Sequence, residues 1–306
     1  FTGARSFRGT KDADLVNFEK TSAKLEGKFF FENRNQSISI FFGNGKRKAF
    51  LNGIAQPYPT KIIGKFKVIL FSPTHLLLVS AGPEGRRKFL DAAICQLKPT
   101  YISQISRYNQ ILRERNAFLK NFSMNGKTGF LEVLNEKLSE TGAVLIEERL
   151  KYLKILKKEV TRIYSEISKG SEKFEINYIS GISKKISEEN THDFIKNEIF
   201  SKLEKSYQSD IKSGYTSFGP HKDELEILID EKKARLFGSQ GQRRSAALCL
   251  KLAEANILKN FSGESPVILL DDVMSELDSE RQEYILNKIG EIDSLKKDIG
   301  EMRSTL

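Results

Sequence analysis

Polar and apolar residues follow two rhythms along this chain. Residues 28–33, 37–42 and 48–52 are three short β-rich runs. The turn-forming clusters Asn33-Arg34-Asn35-Gln36 and Gly43-Asn44-Gly45-Lys46 separate them, which predicts an antiparallel meander. Ahead of it, Thr2, Gly3, Ser6 and Gly9 mark a loop feeding a short helix. A further strand is expected over 67–71, closed by Ser72-Pro73. The spacing then lengthens to helical. One helix starts at Pro83, a second covers 104–122, and Ile146, Leu150, Leu153, Leu156, Val160, Ile163 and Ile167 mark a long amphipathic seam. A short strand over 174–178, a helix over 193–209 and a hairpin of 226–230 with 233–237 follow.

The most informative stretch comes next. Leu236-Phe237-Gly238-Ser239-Gln240-Gly241-Gln242-Arg243-Arg244 runs straight into a helical pattern at Ala246, Leu250, Ala253 and Ile257. A Ser-Gln-Gly turn at a helix start offers free N–H groups and the positive end of the macrodipole, a place to receive phosphate. Beyond that helix, Pro266-Val267-Ile268-Leu269-Leu270-Asp271-Asp272 reads as a buried parallel strand over 267–272 that delivers two carboxylates to a sheet edge.

Composition adds bounds. The 306 residues are 29% charged and carry a formal net charge of +10, an excess that suits polyanionic partners. No apolar run approaches the roughly 20 residues of a membrane span. Cys95 and Cys249 fall in apolar helical stretches without metal-ligand spacing. A cytoplasmic protein with no membrane partner is expected.

In this order, the serine-glycine corner and the acidic strand resemble the second half of an ABC-type ATPase head. Ser239, Gln240, Gly241 and Gln242 match the signature loop, Asp271 and Asp272 the Walker B end, and Ser275-Glu276-Leu277-Asp278 the D-loop. More closely, the chain is similar to the RecF family of bacterial recombination-mediator ATPases. That similarity includes Ser217-Phe218-Gly219-Pro220-His221-Lys222-Asp223, Leu70-Phe71-Ser72-Pro73, Ser106-Arg107-Tyr108-Asn109 and Arg115-Asn116-Ala117.

The resemblance implies an α/β fold: an ABC-type ATPase head, a mixed sheet with an antiparallel arm, carrying an inserted helical lobe. Residues 1–75 plus 215–306 would form the ATPase lobe and 76–214 the helical one. ATP and magnesium are the implied cofactors. Asp271 would partner the magnesium and Asp272 orient the attacking water. Ser239, Gln240, Gly241, Gln242 and Asp278 would meet nucleotide held by a second subunit. The implied partners are DNA at gaps and single-strand/duplex junctions, RecR, RecO and a second copy of the chain, within the SOS response.

The family's P-loop has no match. Gly126-Lys127-Thr128 is preceded at the required distance by Asn121, and Gly45-Lys46 by Ile40, where glycine is needed. The family places that loop just upstream of the segment resembling 2–8. The sequence is therefore expected to be a fragment that neither binds ATP tightly nor hydrolyses it alone. Residues 291–306 depart from the family and read as a charged helix or a frayed tail. An SMC-like head is the rival enzyme, disfavoured because an insertion of ~140 residues is short for coiled-coil arms. A non-catalytic DNA-binding or scaffolding remnant is the alternative from another class.

Overall fold

The computed structural model describes residues 12–31, 33–43, 45–121 and 128–303. Residues 1–11, with the segment at 2–8, lie outside that description, as do Gly126 and Lys127.

The N-terminal meander pairs β1 (Ser22–Phe31), β2 (Arg34–Gly43), β3 (Lys46–Leu51) and β4 (Ile54–Ala55) in that order, antiparallel throughout. Its turns are tighter than the sequence suggests. Phe31 pairs with Arg34 and Gly43 with Lys46, so each turn holds two residues and Arg34 already belongs to a strand. Asn33 and Gly45 take positive φ there, which asparagine and glycine tolerate best. Alternation buries Gln36, Ile38, Ile40 and Phe42 on one face of β2, where the apolar members join Ala49 and Ile62 in a small core of their own.

The main core is a layer of helices around two further small sheets. A parallel pair joins β5 (Val68–Phe71) to β9 (Val267–Leu270), in register from Val68 with Val267 to Phe71 with Leu270. A short α1 (Pro73–Leu76) follows β5. Then come α2 (Pro83–Leu97), α3 (Tyr101–Lys120) and α4 (Thr128–Ile167). Within the expected seam of α4, Ile146, Leu150, Leu153, Leu156, Val160 and Ile163 are all buried. The antiparallel sheet of β6 (Phe174–Ile179), β7 (Glu224–Ile229) and β8 (Lys232–Lys233) is interrupted in sequence by α5 (His192–Lys205) and α6 (Tyr207–Ser213).

The expected hairpin forms between β7 and β8, but its second arm, expected over 233–237, ends at Lys233. Ala234–Phe237 then forms a single helical turn, α7, in which only Ala234 is buried. The chain ends in α8 (Gln240–Ser262), β9 and α9 (Ser279–Arg303), so the described part of the tail is helical. The expected burial of the acidic strand also fails. Val267, Leu269 and Leu270 are 43%, 48% and 41% exposed; among the described residues β9 pairs only with β5.

Two buried polar networks tie the middle of the chain together. Arg115 and Asp210 are fully buried and bonded at 2.8 Å, and Arg115 also donates to Thr216 and Asn135. Asn116 accepts from both the main-chain N–H and the hydroxyl of Thr216. Nearby, His221 Nε2 lies 3.2 Å from the Thr216 carbonyl, which can only accept. Nε2 therefore carries the proton, and Nδ1 accepts from the Tyr108 hydroxyl at 2.6 Å. Gly219, at φ 143°, allows this contact: a Cβ there would lie 2.4 Å from the Tyr108 oxygen.

Burial, helped by Lys222, Arg87 and Arg115, lowers the His221 pKa to about 4. Burial and Lys251 lower His75 to about 4 as well. Both groups titrate near 6.5 when unfolded, so between that value and about 4 the unfolded chain binds protons that the folded chain refuses. Stability is thus lost as the pH falls, at up to about 1.4 kcal/mol per pH unit for each group. Urea unfolding between about pH 7 and pH 5 should show this loss, with a shallower slope in His75→Gln. A flat profile would contradict it.

Candidate functional site

The corner expected to receive phosphate is built by the first turn of α8. Ser239 is its N-cap. The Ser239 Oγ accepts from the Gln242 main-chain N–H at 3.1 Å, and the Gln242 side-chain oxygen accepts from the Ser239 N–H at 2.7 Å. This reciprocal capping box leaves the serine hydroxyl proton available as a donor. The N–H groups of Gln240 and Gly241, in the first turn, have no intrahelical acceptor to reach. Gly241 lacks a side chain where one would crowd: a Cβ would lie 3.2 Å from Arg281 Nη2. Gly238 is tighter, since a Cβ there would meet the Ala234 carbonyl oxygen at 2.6 Å. Both glycines thus let the protein's own segments pack closely around this turn.

The D-loop segment docks onto this corner. Arg244 donates to the Glu276 carbonyl and, at 2.7 Å, to its carboxylate. Arg281 donates from Nε to Ser245 Oγ at 2.7 Å and from Nη1 to Asp278. The Arg281 main-chain N–H also donates to Asp278 Oδ1, at 2.9 Å. Asp278 thereby becomes the N-terminal acid of α9, with its carboxyl held below the usual range first by that N–H bond and then by the guanidinium. Ser239, Gln240, Gly241, Gln242 and Asp278 are thus neighbours on one region of the protein. Sequence reasoning missed Arg281: the visible capping signal is Asp278, which concerns the Arg281 main-chain N–H and not its guanidinium.

The two aspartates close the other end of the same segment. Asp271 continues the ladder, its N–H bonding the Phe71 carbonyl at 2.9 Å. Strand geometry stops at Leu270, two residues earlier than the sequence suggests, because Asp272 turns to φ 51°. That left-handed residue re-aims the chain into Val273, which is buried, and Ser275 Oγ bonds the Asp272 carbonyl at 2.8 Å. The Asp272 side chain is left exposed. The cysteines are not part of this site. Cys95 and Cys249 are buried, and burial raises both thiols well above their usual value.

No protein-family model matches the chain. Individual proteins do. It is 39% identical to the DNA replication and repair protein RecF of Clostridium acetobutylicum over 292 residues, covering 95% of this chain and 78% of that one. The RecF of Caldanaerobacter subterraneus is 40% identical over 294 residues, again with 78% of its length covered. The chain belongs to the RecF family of DNA replication and repair proteins. Solved structures of the recombination mediator protein RecF in the RecFOR pathway, one RecF-ATP and one RecF-ATPrS, superpose with a TM-score of 0.87. Each is 38% identical, with 94% of this chain and 77% of the other covered. The α/β architecture is therefore that of an ABC-type head. The RecF-like segments at 106–117 and 217–223 meet in the Tyr108–His221 contact, and Arg115 reaches Thr216, the residue just before the second segment.

Arg281 gives a direct check on the docked D-loop. In Arg281→Met the main-chain bond to Asp278 stays and the guanidinium goes, so NMR titration should show the Asp278 pKa rising only part of the way towards 3.8. No rise would mean that the guanidinium does not hold this carboxylate.

Proposed function

We propose that this protein binds DNA in an ATP-dependent way and dimerises on nucleotide. It would act at gaps and single-strand/duplex junctions in the cytoplasm, with RecR and RecO, to help load recombinase within the SOS response. Family membership and the ATP-bound RecF structures support nucleotide as the ligand. The observation that carries the reading is the corner itself: a capped helix start with a bare glycine, locked to the D-loop by Arg244 and Arg281. The division into an ATPase lobe of 1–75 with 215–306 and a helical lobe of 76–214 is part of this proposal.

The donor set suits the implied cofactors. Magnesium keeps several waters and takes one or two carboxylates plus phosphate oxygens, rather than an all-protein cage. Asp271 and Asp272 match that demand, and no cluster of three or more potential metal ligands occurs among the described residues. Bound there, the ion would neutralise charge developing on the transferred phosphoryl group.

The chain's own residues position and hold. Asp271, fixed by its ladder bond, would serve the metal side. The exposed Asp272 would orient the attacking water and accept its proton. Ser239 Oγ would donate to a phosphate oxygen carried by the other subunit, while the Gln240 and Gly241 N–H groups line the same cradle. Asp278, at the start of α9, would set the spacing between the two subunits.

The +10 charge favours contact with phosphates over base edges. Binding to a gapped duplex should accordingly weaken steeply with salt and show little sequence preference. Adding Mg-ATP to the complete gene product should tighten it, and Asp272→Asn should slow nucleotide turnover at least tenfold while sparing ATP binding. Salt-insensitive binding that ignores ATP would contradict the proposal.

A further inference from the structure

A cavity of about 240 Å³ opens beside the corner, lined among others by Tyr164, Glu172, Ser239, Gln242, Ser245 and Arg281. Among the described residues, Glu172 is the only acidic one in its wall. It lies in the connection between α4 and β6, far in sequence from the corner it touches.

The contact is specific in direction. The Gln242 side-chain oxygen is taken by the Ser239 N–H, so its amide nitrogen must find an acceptor elsewhere. It finds Glu172 Oε1 at 2.9 Å. The other carboxylate oxygen accepts from the Tyr164 hydroxyl at 2.5 Å. Tyr164 itself is buried on α4 and stacked on Phe174 of β6, ring centroids 4.5 Å apart. A flipped Gln242 would set its oxygen against a carboxylate and its NH₂ against the Ser239 N–H donor, two repulsive contacts. Glu172 therefore dictates which way the Gln242 amide points, and with it whether the capping box closes.

We infer that Glu172 is a positioning residue for the nucleotide-receiving corner, through which the end of α4 and β6 sets the corner's shape. This rests on the reading that the corner receives nucleotide from a second subunit. Glu172 touches no ligand; it acts through Gln242. Anything that shifts Tyr164 or Phe174 would reach Ser239 by this route, without moving the buried length of α8.

Glu172→Gln tests it. A glutamine has one side-chain oxygen, yet two donors face it, so either Tyr164 or Gln242 loses its acceptor and the Gln242 amide is free to turn. In the complete gene product, main-chain amide exchange at Ser239 and Gln242 should accelerate roughly tenfold, with the melting temperature almost unchanged. The Mg-ATP concentration for half-maximal dimerisation should rise by a similar factor. Tyr164→Phe, which leaves the Gln242 bond in place, should do less.

The exchanged pair Glu172→Gln with Gln242→Glu restores the pattern. The carboxylate now at position 242 accepts from the Ser239 N–H and from the side-chain NH₂ now at position 172, whose amide oxygen accepts from Tyr164. Amide exchange in this double variant should return towards wild type, which a merely space-filling Glu172 would not produce. Gly241→Arg serves as the control on the corner. Dimerisation that survives Gly241→Arg overturns the reading of the corner, and this inference with it. Dimerisation blocked by Gly241→Arg, while Glu172→Gln exchanges and dimerises like wild type, overturns the inference alone.

Discussion

Burial of α8 along most of its length is the constraint on which the rest depends. From Ser245 to Leu258 almost every residue is buried, on all sides of the helix rather than along one stripe. Ala246, Ala247, Ala253 and Ala255 keep the helix thin enough for α4, α2, β5 and α9 to pack around it. Leu248, Leu250, Leu252, Ile257 and Leu258 each contribute about 1.5–3 kcal/mol of burial. The two charges it carries inside, Lys251 and Glu254, pair with each other one turn apart, and Gln96 links Glu254 to the N–H of Val68. A helix held this way cannot rotate or slide without opening the core. Its N-terminus, where Ser239 and Gly241 lie, is therefore a fixed point.

Around that fixed point the site divides into a rigid and an adjustable part. The rigid part is covalently continuous with α8 or bonded to it: Arg244 holds Glu276, and Arg281 joins Ser245 to Asp278. The adjustable part is polar and peripheral. Just past α4, Lys169 reaches Glu280, and within it Glu166 takes Lys288 and the Tyr284 hydroxyl, so polar side chains at or near the surface bridge the end of α4 to α9. Such pairs are weak individually, and they suit a contact that must yield. Small displacements of the helical region can thus be felt at the corner while the core remains closed.

Much of this was legible in the sequence because it depends on local signals. The turn residues Asn33 and Gly45, the three-and-four seam of α4 and the Ser239–Gln242 capping pair are short-range patterns with one good physical reading each. What escaped depends on contacts between distant segments. The exposure of β9 depends on what lies beside it, and no property of Val267 or Leu269 reveals that. The helical turn at Ala234–Phe237 looked like a strand because Leu236 and Phe237 are apolar, yet both are exposed. Glu172 sits in a stretch rich in serine, lysine and glutamate, just ahead of the expected strand over 174–178, and its contact appears only once Gln242 is placed against it. Arg115 likewise resembles any helix-surface arginine until Asp210 and Thr216 meet it in the interior.

The central claim is that the serine-glycine corner of one copy faces the paired aspartates of another across nucleotide. Cross-linking measures that arrangement directly. Ser239→Cys in one tagged chain and Asp272→Cys in another can be mixed and treated with a short bis-maleimide; the native Cys95 and Cys249 are buried and should stay silent. The account requires a cross-link between the two differently tagged chains that forms with Mg-ATP and not without it. A link that forms equally well without nucleotide, or none at all when both chains are loaded with ATP, would contradict it.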